Sequence, residues 1–194
     1  MRRWPVLASL VVLACSSAPM APLSVPMSYK TMASPAEFPS AQSCAAVSRI
    51  DVSDNRSDKT LGKRYQQEGS STTYPVTSAT DIGEWIQSGA SAALQKSNVN
   101  VGSRGPTLRL RVDQITTSEN VYHRAEYNGR IALTADVMSG SRSCWNGRVD
   151  GSSQNYGYAG SVENYQETLN HALDRAMISL LNNSDFTNAL CSCR

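Results

Sequence analysis

Apolar and polar residues alternate along residues 125–137, and this pattern restricts the fold more than any other feature of the sequence. Polar residues such as Glu126 and Arg130 separate positions that are mostly apolar or glycine. A period of two is typical of a strand with one face in a core and the other in water. Residues 108–112 repeat the pattern and residues 144–150 continue it, so we expect three strands in an antiparallel meander.

Two other segments carry apolar residues at helical spacing. Residues 82–94 follow Asp81–Glu84, which has the form of a capping box, and residues 169–181 follow Asn164–Glu167, which has the same form. One side of each predicted helix is therefore apolar. We expect both helices to cover the apolar face of the sheet.

Two further strands are predicted before the first helix, at residues 44–52 and 60–65. Residues 66–78 are polar and contain Pro75, so we expect a loop or an irregular edge there. The predicted fold class is α+β in the order β-β-α-β-β-β-α. It consists of an antiparallel sheet of about four to five strands, with two amphipathic helices packed on one face.

The first fifteen residues have the pattern of an export signal. Arg2 and Arg3 precede an apolar run from Val6 to Ala14, which is too short to span a hydrocarbon core of ~30 Å. The run ends in Val12-Leu13-Ala14-Cys15, which resembles the lipobox of bacterial lipoproteins. That resemblance implies diacylglycerol on the sulfur of Cys15 and an acyl chain such as palmitate on its amine. Cleavage nearby by an ordinary signal peptidase is the alternative.

The segment that follows is predicted to be a tether. Residues 16–40 contain five prolines among Ser, Ala and Met, a composition typical of a flexible, semi-extended linker. Residues 41–194 have the length of a single globular domain with one core. Ser16, directly after the lipobox, resembles the pattern of lipoproteins that are sent to the outer membrane.

The charge balance of the chain excludes one class of partner. Without Arg2 and Arg3, the 18 basic residues become 16, which equals the number of acidic residues. A net charge near zero gives no reason to expect nucleic acid binding or electrostatic adhesion to anionic lipid. We therefore expect contact with the membrane through the lipid anchor at Cys15 alone.

Four cysteines follow the lipobox, at Cys44, Cys144, Cys191 and Cys193, and an even number in an exported chain favours disulfides. A bridge between Cys191 and Cys193 would close a small, strained ring. Each of these two is therefore expected to pair with one of Cys44 and Cys144, and the sequence does not decide which. A metal or redox site is the alternative, but the sequence lacks the clustered histidines or the Cys-x-x-Cys motif that such a site would need.

Sequence motifs for catalysis are missing. His123 and His171 belong to different elements, and neither a Gly-x-Ser-x-Gly nor a Ser-x-x-Lys motif occurs. We therefore expect a protein without catalytic residues, metal or cofactor. The best candidate for an interaction surface is the polar face of the meander, with a merely solvated strand face as the alternative. Its residues are Arg109, Arg111, Tyr122, Arg124, Glu126 and Arg130.

Several local patterns together resemble the YajG-type envelope lipoproteins. They are a strand running into an Asp-x-Arg turn at residues 50–56, a Gly-containing strand at 61–64, a helix from Trp85 to Leu94, and a closing helix that begins near Asn164. The resemblance covers about residues 44–183 and implies the fold and an envelope location. Related lipoproteins, including activators of cell-wall synthases and auxiliary lipoproteins of transporters, share these motifs, so no particular partner is implied.

These observations predict a lipid-anchored lipoprotein of the bacterial envelope, facing the periplasm from the outer membrane. We expect a non-catalytic accessory protein that acts through contacts with an envelope protein. The alternative is a lipoprotein that binds a small ligand or a glycan. Its pocket is expected between the sheet and the first helix, near Trp85.

Overall fold

The computed structural model describes residues 21–65, 70–102, 104–121 and 124–193. Its strands are β1 (Leu23–Val25), β2 (Ala46–Val47), β3 (Arg49–Asp54), β4 (Gly62–Tyr65), β5 (Thr73–Ser78), β6 (Asn100–Val101), β7 (Thr107–Val121), β8 (Ala125–Ser139) and β9 (Arg142–Gly157). Its helices are α1 (Ile82–Lys96), α2 (Val162–Leu181) and α3 (Ser184–Ser192), with a short 3-10 turn at Pro35–Glu37. The α+β class agrees with the sequence prediction.

Seven strands form one mixed sheet in the order β1-β5-β4-β7-β8-β9, with β3 beside β7. The long strands β7, β8 and β9 are antiparallel neighbours, as the alternating pattern predicts. The expectation of a wholly antiparallel sheet of about four to five strands is wrong, because β1–β5, β3–β7 and β4–β7 pair in parallel. The chain crosses over through α1 between β3 and β7, and such a crossover returns a strand in its original direction.

The segment predicted to be a loop contains a strand, β5, despite Pro75. Proline has no N–H to give to a neighbouring strand. The ladder between β1 and β5 begins with Leu23 opposite Val76, one residue beyond Pro75. On the other side, Pro75 lies opposite Lys63 of β4. The N–H that Pro75 lacks is therefore at a position where the ladder between β1 and β5 has not yet started.

Helices α1 and α2 cover one side of the sheet, which we call the inner face. Helix α1 packs on β3, α2 packs on β8 and β9, and the two helices contact each other. Gly151 of β9 permits the close approach of α2, because a Cβ there would lie 2.1 Å from the carbonyl oxygen of Ala172. Asp81 and Ser161 cap the two helices with their side chains. The sequence analysis did not predict the third helix, α3, which also packs against β9.

Residues 21–40 are folded, which corrects the prediction of a flexible tether for this part of the chain. Val25, Met27 and Phe38 are buried in the core, and β1 belongs to the sheet. Residues 26–33, which we call the N-terminal strap, lie along α2. Proline-rich composition signals extended backbone, but it does not show whether that backbone finds hydrogen-bond partners elsewhere in the chain.

A row of polar side chains on α2 holds the N-terminal strap. Gln166 donates to the carbonyl of Pro26, and Asn170 Nδ2 donates to the carbonyl of Ser28 at 3.1 Å. One turn further, Asp174 accepts from backbone amides of the strap. These three α2 residues are spaced four apart and therefore lie on one side of the helix.

Within the described ranges, no helix is long and apolar enough to cross a membrane.

Candidate interaction surface

The face of β7, β8 and β9 opposite the helices, which we call the outer face, is open to solvent. Alternate residues of each strand point to it, so the polar half of the sequence pattern becomes one continuous surface. Asp113 continues the outward positions of Arg109 and Arg111 on this surface, and β7 has a β-bulge at this point, between Val112 and Gln114. The bulge keeps Ile115, which is 4% exposed, on the inner face.

Asp113 is the centre of a charge network on the outer face. Its carboxylate accepts hydrogen bonds from Thr134 Oγ1 at 2.6 Å and from Arg111 Nε at 3.1 Å, and Arg148 Nε lies 4.0 Å away. Partial burial alone would raise the pKa of Asp113. The hydrogen bonds from Thr134 and Arg111 and the two positive charges outweigh that effect, so its pKa lies below the ordinary value.

A second set of polar contacts lies further along the same face. Arg130 Nη2 is 3.5 Å from Asp150 Oδ2, and each of the two side chains is 55% exposed. Asn128 Nδ2 donates to Glu126 at 2.6 Å. Hydrogen bonds from Asn128 and Gln154 lower the pKa of the Glu126 carboxyl. The outer face therefore presents both charge signs at fixed positions.

A cleft of about 1050 Å³ opens in the middle of this sheet. Strand β3 pairs with β7 as far as Val112, and β4 begins to pair at Ser118. In the described part of the chain, residues 113–117 therefore have no strand beside them on that side, and the loop after β3 borders the gap. The hydroxyl of Thr117, which lines the cleft, is buried without a hydrogen-bond partner among the described residues.

Hydroxyl and amide side chains line most of the cleft, with basic and acidic groups among them. The lining residues with charge are Arg56, Asp58, Lys63, Asp113, Arg130 and Arg175. The described lining includes no aromatic side chain on which a sugar ring or base could stack. The cleft is thus chemically suited to polar and charged groups.

Arg56 at the rim of the cleft has a structural role. Its guanidinium donates to both carboxylate oxygens of Asp54 at 2.9 Å and to the carbonyl of Thr60 at 2.7 Å. Burial alone would raise the pKa of Asp54, but the hydrogen bonds and charge of Arg56 lower it below the ordinary value. This pair fixes the loop between β3 and β4, and with it one wall of the cleft.

The predicted surface residues fall into a strip rather than a cluster. Arg109, Arg111 and Arg130 are exposed on the outer face, Glu126 is half-buried there, and Arg124 is exposed just before β8. Arg109 lies opposite Asp136 near one end of the meander, whereas Glu126 lies opposite Asn120 near the other. The remaining predictions, Tyr122 for the surface and Cys15 for lipidation, lie outside the described residues.

Sequence reasoning missed the residues that organise this surface. Thr134 joins Asp113 to Arg111, and Arg148 and Asp150 contribute the charges of β9. The alternation of Arg148, Asp150, Ser152 and Gln154 along β9 is a signal that could have found part of the set. The alternation of Arg109, Arg111 and Asp113 along β7 is a similar signal for Asp113.

The ligand pocket expected near Trp85 is filled by packed side chains. Trp85 is 3% exposed, and its Nε1 donates to Asn170 Oδ1 at 2.8 Å. At Gly89, one turn further along α1, a Cβ would lie 2.4 Å from Leu173 Cδ2. The space around Trp85 is therefore filled, and the prediction of a pocket at Trp85 is wrong. Trp85 belongs to the core.

The structure also contains a buried polar cluster around Glu119, which is 0% exposed. Its carboxylate accepts from Tyr165 OH at 2.7 Å and Tyr127 OH at 3.3 Å, and Arg64 Nε lies 3.4 Å away. Burial and the neighbouring Glu119 raise the pKa of Tyr165. A glutamate at an inward position of β7 is the signal that sequence reasoning missed. The cluster joins β4, β7, β8 and the start of α2.

Two disulfides join α3 and its end to the rest of the fold, Cys44–Cys191 and Cys144–Cys193. The prediction that Cys191 and Cys193 each pair with an upstream cysteine is confirmed. Among the described residues, His, Cys, Asp and Glu do not form a group of three or more that could hold a metal ion.

No protein-family model and no curated protein matches the sequence. Among solved structures, a protein of the family DUF330 from Xanthomonas campestris is similar with a TM-score of 0.56 and 12% identity, covering 88% of this chain and 99% of that chain. A candidate lipoprotein from Caulobacter crescentus gives a TM-score of 0.42 and 14% identity, covering 57% of this chain and 83% of its own. A minor lipoprotein from Acinetobacter baumannii gives 0.37 and 11%, covering 77% and 92%. The first of these likenesses shows that this chain shares its fold with the Xanthomonas protein.

Proposed function

We propose that this chain is a lipid-anchored lipoprotein of the bacterial envelope that performs no catalysis and acts as an accessory to another envelope protein. The lipobox pattern at Cys15 supports the anchor. The two disulfides suit an oxidising compartment such as the periplasm. Two or more acyl chains on one cysteine are sufficient for stable membrane attachment. Ser16 supports the outer membrane as the final location.

The anchor is tested by replacing its sulfur. The wild-type chain, expressed with its signal, should sediment with the outer membrane, and its intact mass should include the acyl chains on Cys15. Cys15→Ser should remove that added mass and leave the protein out of the membrane fraction. An unacylated wild-type chain, or a mature start beyond residue 16, would contradict the proposed anchor.

The open outer face carries the proposed contact with a protein partner. Helices α1 and α2 pack on the inner face, and several charges of the outer face are paired at fixed positions, as in the Asp113 network. Exposed ion pairs such as Arg130–Asp150 contribute little to stability, typically about 0–1 kcal/mol. The same charges at an interface would set orientation and choice of partner. A partner with a polar, mixed-charge surface fits this face.

Crosslinking in intact cells tests this contact. The double variant Arg109→Gln/Arg130→Gln should keep the free energy of unfolding within about 0.5 kcal/mol of the wild type, because both side chains are exposed. It should lose a crosslinked envelope protein that the wild type retains. Lys96→Gln, which removes an exposed charge on α1, is the matched control and should retain the partner. Equal recovery with the double variant would show that the outer face is not the contact.

The cleft favours a second candidate function, the binding of a small polar ligand or glycan. Its volume of about 1050 Å³ lies at the upper end of the range of ligand sites, and hydroxyl and amide side chains line most of it. Calorimetric titration with soluble peptidoglycan fragments should then give a binding heat that Ser152→Trp abolishes by filling the cleft. Ser141→Trp, in the exposed turn before β9, is the control. No heat with the wild type would count against this candidate.

A further inference from the structure

The start of the described chain and its exposed aromatic side chains lie at the same end of the sheet. Strand β1 runs parallel to β5, with Leu23 opposite Val76, so residue 21 lies near the level of Tyr74. Tyr74 lies opposite Arg64 on β4, and Arg64 lies opposite Glu119 on β7. Continuing across the sheet, this level reaches the last residues of β9 and the loop before α2.

Among the described residues, four tyrosines that are at least partly exposed lie at this end, and we call it the tyrosine end. They are Tyr65, Tyr74, Tyr156 and Tyr158. Tyr156 is 55% exposed and Tyr158 is 89% exposed, and they are the two exposed large hydrophobic side chains among the described residues. Tyr65 and Tyr74 are half-buried.

The backbone beneath the most exposed ring is firmly held. The carbonyl of Tyr158 accepts hydrogen bonds from Tyr127 OH and, at 3.3 Å, from Asn164 Nδ2. Tyr127 is 0% exposed and belongs to the Glu119 cluster. An exposed aromatic side chain on a rigid support is thus presented to whatever lies beyond this end of the sheet.

The length of chain between the lipobox and the fold limits what can lie beyond this end of the sheet. Six residues lead from Cys15 to Ala21. Fully extended, they reach at most about 20 Å. The N-terminal strap and β1 hold the chain beyond Ala21, so no further length can be released without breaking those contacts.

We propose that the tyrosine end lies against the phospholipid surface, with the strands standing away from the membrane. This inference rests on the proposed lipid anchor at Cys15. Tyrosine has an apolar ring and a polar hydroxyl, and it is enriched at the level of lipid headgroups for that reason. The basic side chains of Lys63 and Arg124 at this end are accompanied by the acidic Glu126 and Glu163. Attraction to anionic headgroups is therefore not required, and zwitterionic lipid is a sufficient surface.

Quenching of a tryptophan reporter by brominated lipid tests this orientation. The acylated full chain carrying Tyr158→Trp is reconstituted in phosphatidylcholine vesicles whose lipids are brominated near the headgroup. Its emission should decrease several-fold more than that of the wild type. The mature wild type contains Trp85, which is 3% exposed, and Trp145, near the opposite end of β9, as background.

Ser141→Trp is the matched control, because the turn between β8 and β9 lies at the opposite end of the sheet. It should show no more quenching than the wild type. Equal quenching of the two reporters, or none in either while the protein floats with the vesicles, would overturn the proposed orientation. A chain that lacks the acyl mass and does not float would instead overturn the lipid anchor, and the orientation with it.

Discussion

Asp174 and Ala33 are joined by a hydrogen bond of 2.8 Å, although 141 residues separate them in the sequence. The Asp174 carboxylate also accepts from the amide of Met32 at 2.7 Å and from the hydroxyl of Tyr29. It is 1% exposed, so these donors replace the water that a carboxylate requires. Burial and Asp174 together raise the pKa of Tyr29, which remains a donor. A single side chain thus fastens the N-terminal strap to α2.

Asp174→Asn should destabilise the protein by about 2–4 kcal/mol, because an amide offers N–H groups to donors that need an acceptor. Chemical denaturation measures the loss, and hydrogen exchange should show that the amides of Met32 and Ala33 lose protection. Asp150→Asn is the control, since its side chain is 55% exposed, and it should change stability by less than about 1 kcal/mol. If both variants have the stability of the wild type, Asp174 does not hold the strap.

Glu119→Gln should also destabilise the fold strongly. The substitution leaves the Arg64 guanidinium, in a residue only 8% exposed, without its counter-charge, and breaking a buried pair in this way costs about 3–5 kcal/mol. Combining it with Arg64→Met should recover part of the loss, because the uncompensated charge is then gone. Urea denaturation of the three proteins measures this. A double variant less stable than the single one would show that the pair is not the dominant interaction.

Removal of either disulfide should lower stability. Constraint of the unfolded chain by bridges with sequence separations of 147 and 49 residues corresponds to about 5 and 4 kcal/mol in the chain-entropy account. The double substitutions Cys44→Ser/Cys191→Ser and Cys144→Ser/Cys193→Ser should therefore each lower the melting temperature, the first more than the second. Non-reducing peptide mapping is the companion measurement. Peptides linking Cys44 to Cys193 would contradict the observed pairing.

The Asp54–Arg56 pair should contribute to acid sensitivity. The pKa of Asp54 is lowered in the folded protein, whereas an unfolded aspartate titrates near ~3.9. Its contribution is therefore complete above the unfolded pKa and is lost as the pH falls through the folded one. The stability of the wild type should decrease more steeply below about pH 4 than that of Asp54→Asn, as denaturation at several pH values would show. Parallel curves for the two proteins would refute this assignment.

The long elements of the fold could be predicted from periodicity, and the long-range contacts could not. Strand β8 and the helices α1 and α2 follow from patterns of 13 residues in the printed sequence, and the shorter patterns at residues 108–112 and 144–150 predict β7 and β9. Helix α3 has nine residues, too few to establish a helical period. Strand β5 was not predicted because it contains Pro75. The position of Pro75 relative to β1 depends on the tertiary structure. The N-terminal strap depends on Asp174 and its neighbours, which composition does not connect to residues 26–33.

Only part of the candidate surface could be predicted from the sequence. Alternation identified Arg109, Arg111 and Arg130 as outward-facing, because side-chain direction in a strand is a local property. Asp113 is in phase with Arg109 and Arg111, whereas the bulge beside it shifts the register by one residue and leaves no periodic trace. Ring strain correctly excluded a bridge between Cys191 and Cys193. It did not distinguish Cys44 from Cys144 as the partner of either.

The connectivity of the two disulfides constrains how the protein can mature. If the chain enters an oxidising compartment amino end first, Cys44 and Cys144 become available before Cys191 and Cys193, their native partners. Thiols that meet early form a non-native bond, which must then be exchanged. A disulfide isomerase would correct such a bond, and a delay of oxidation until translocation has delivered Cys193 would prevent it.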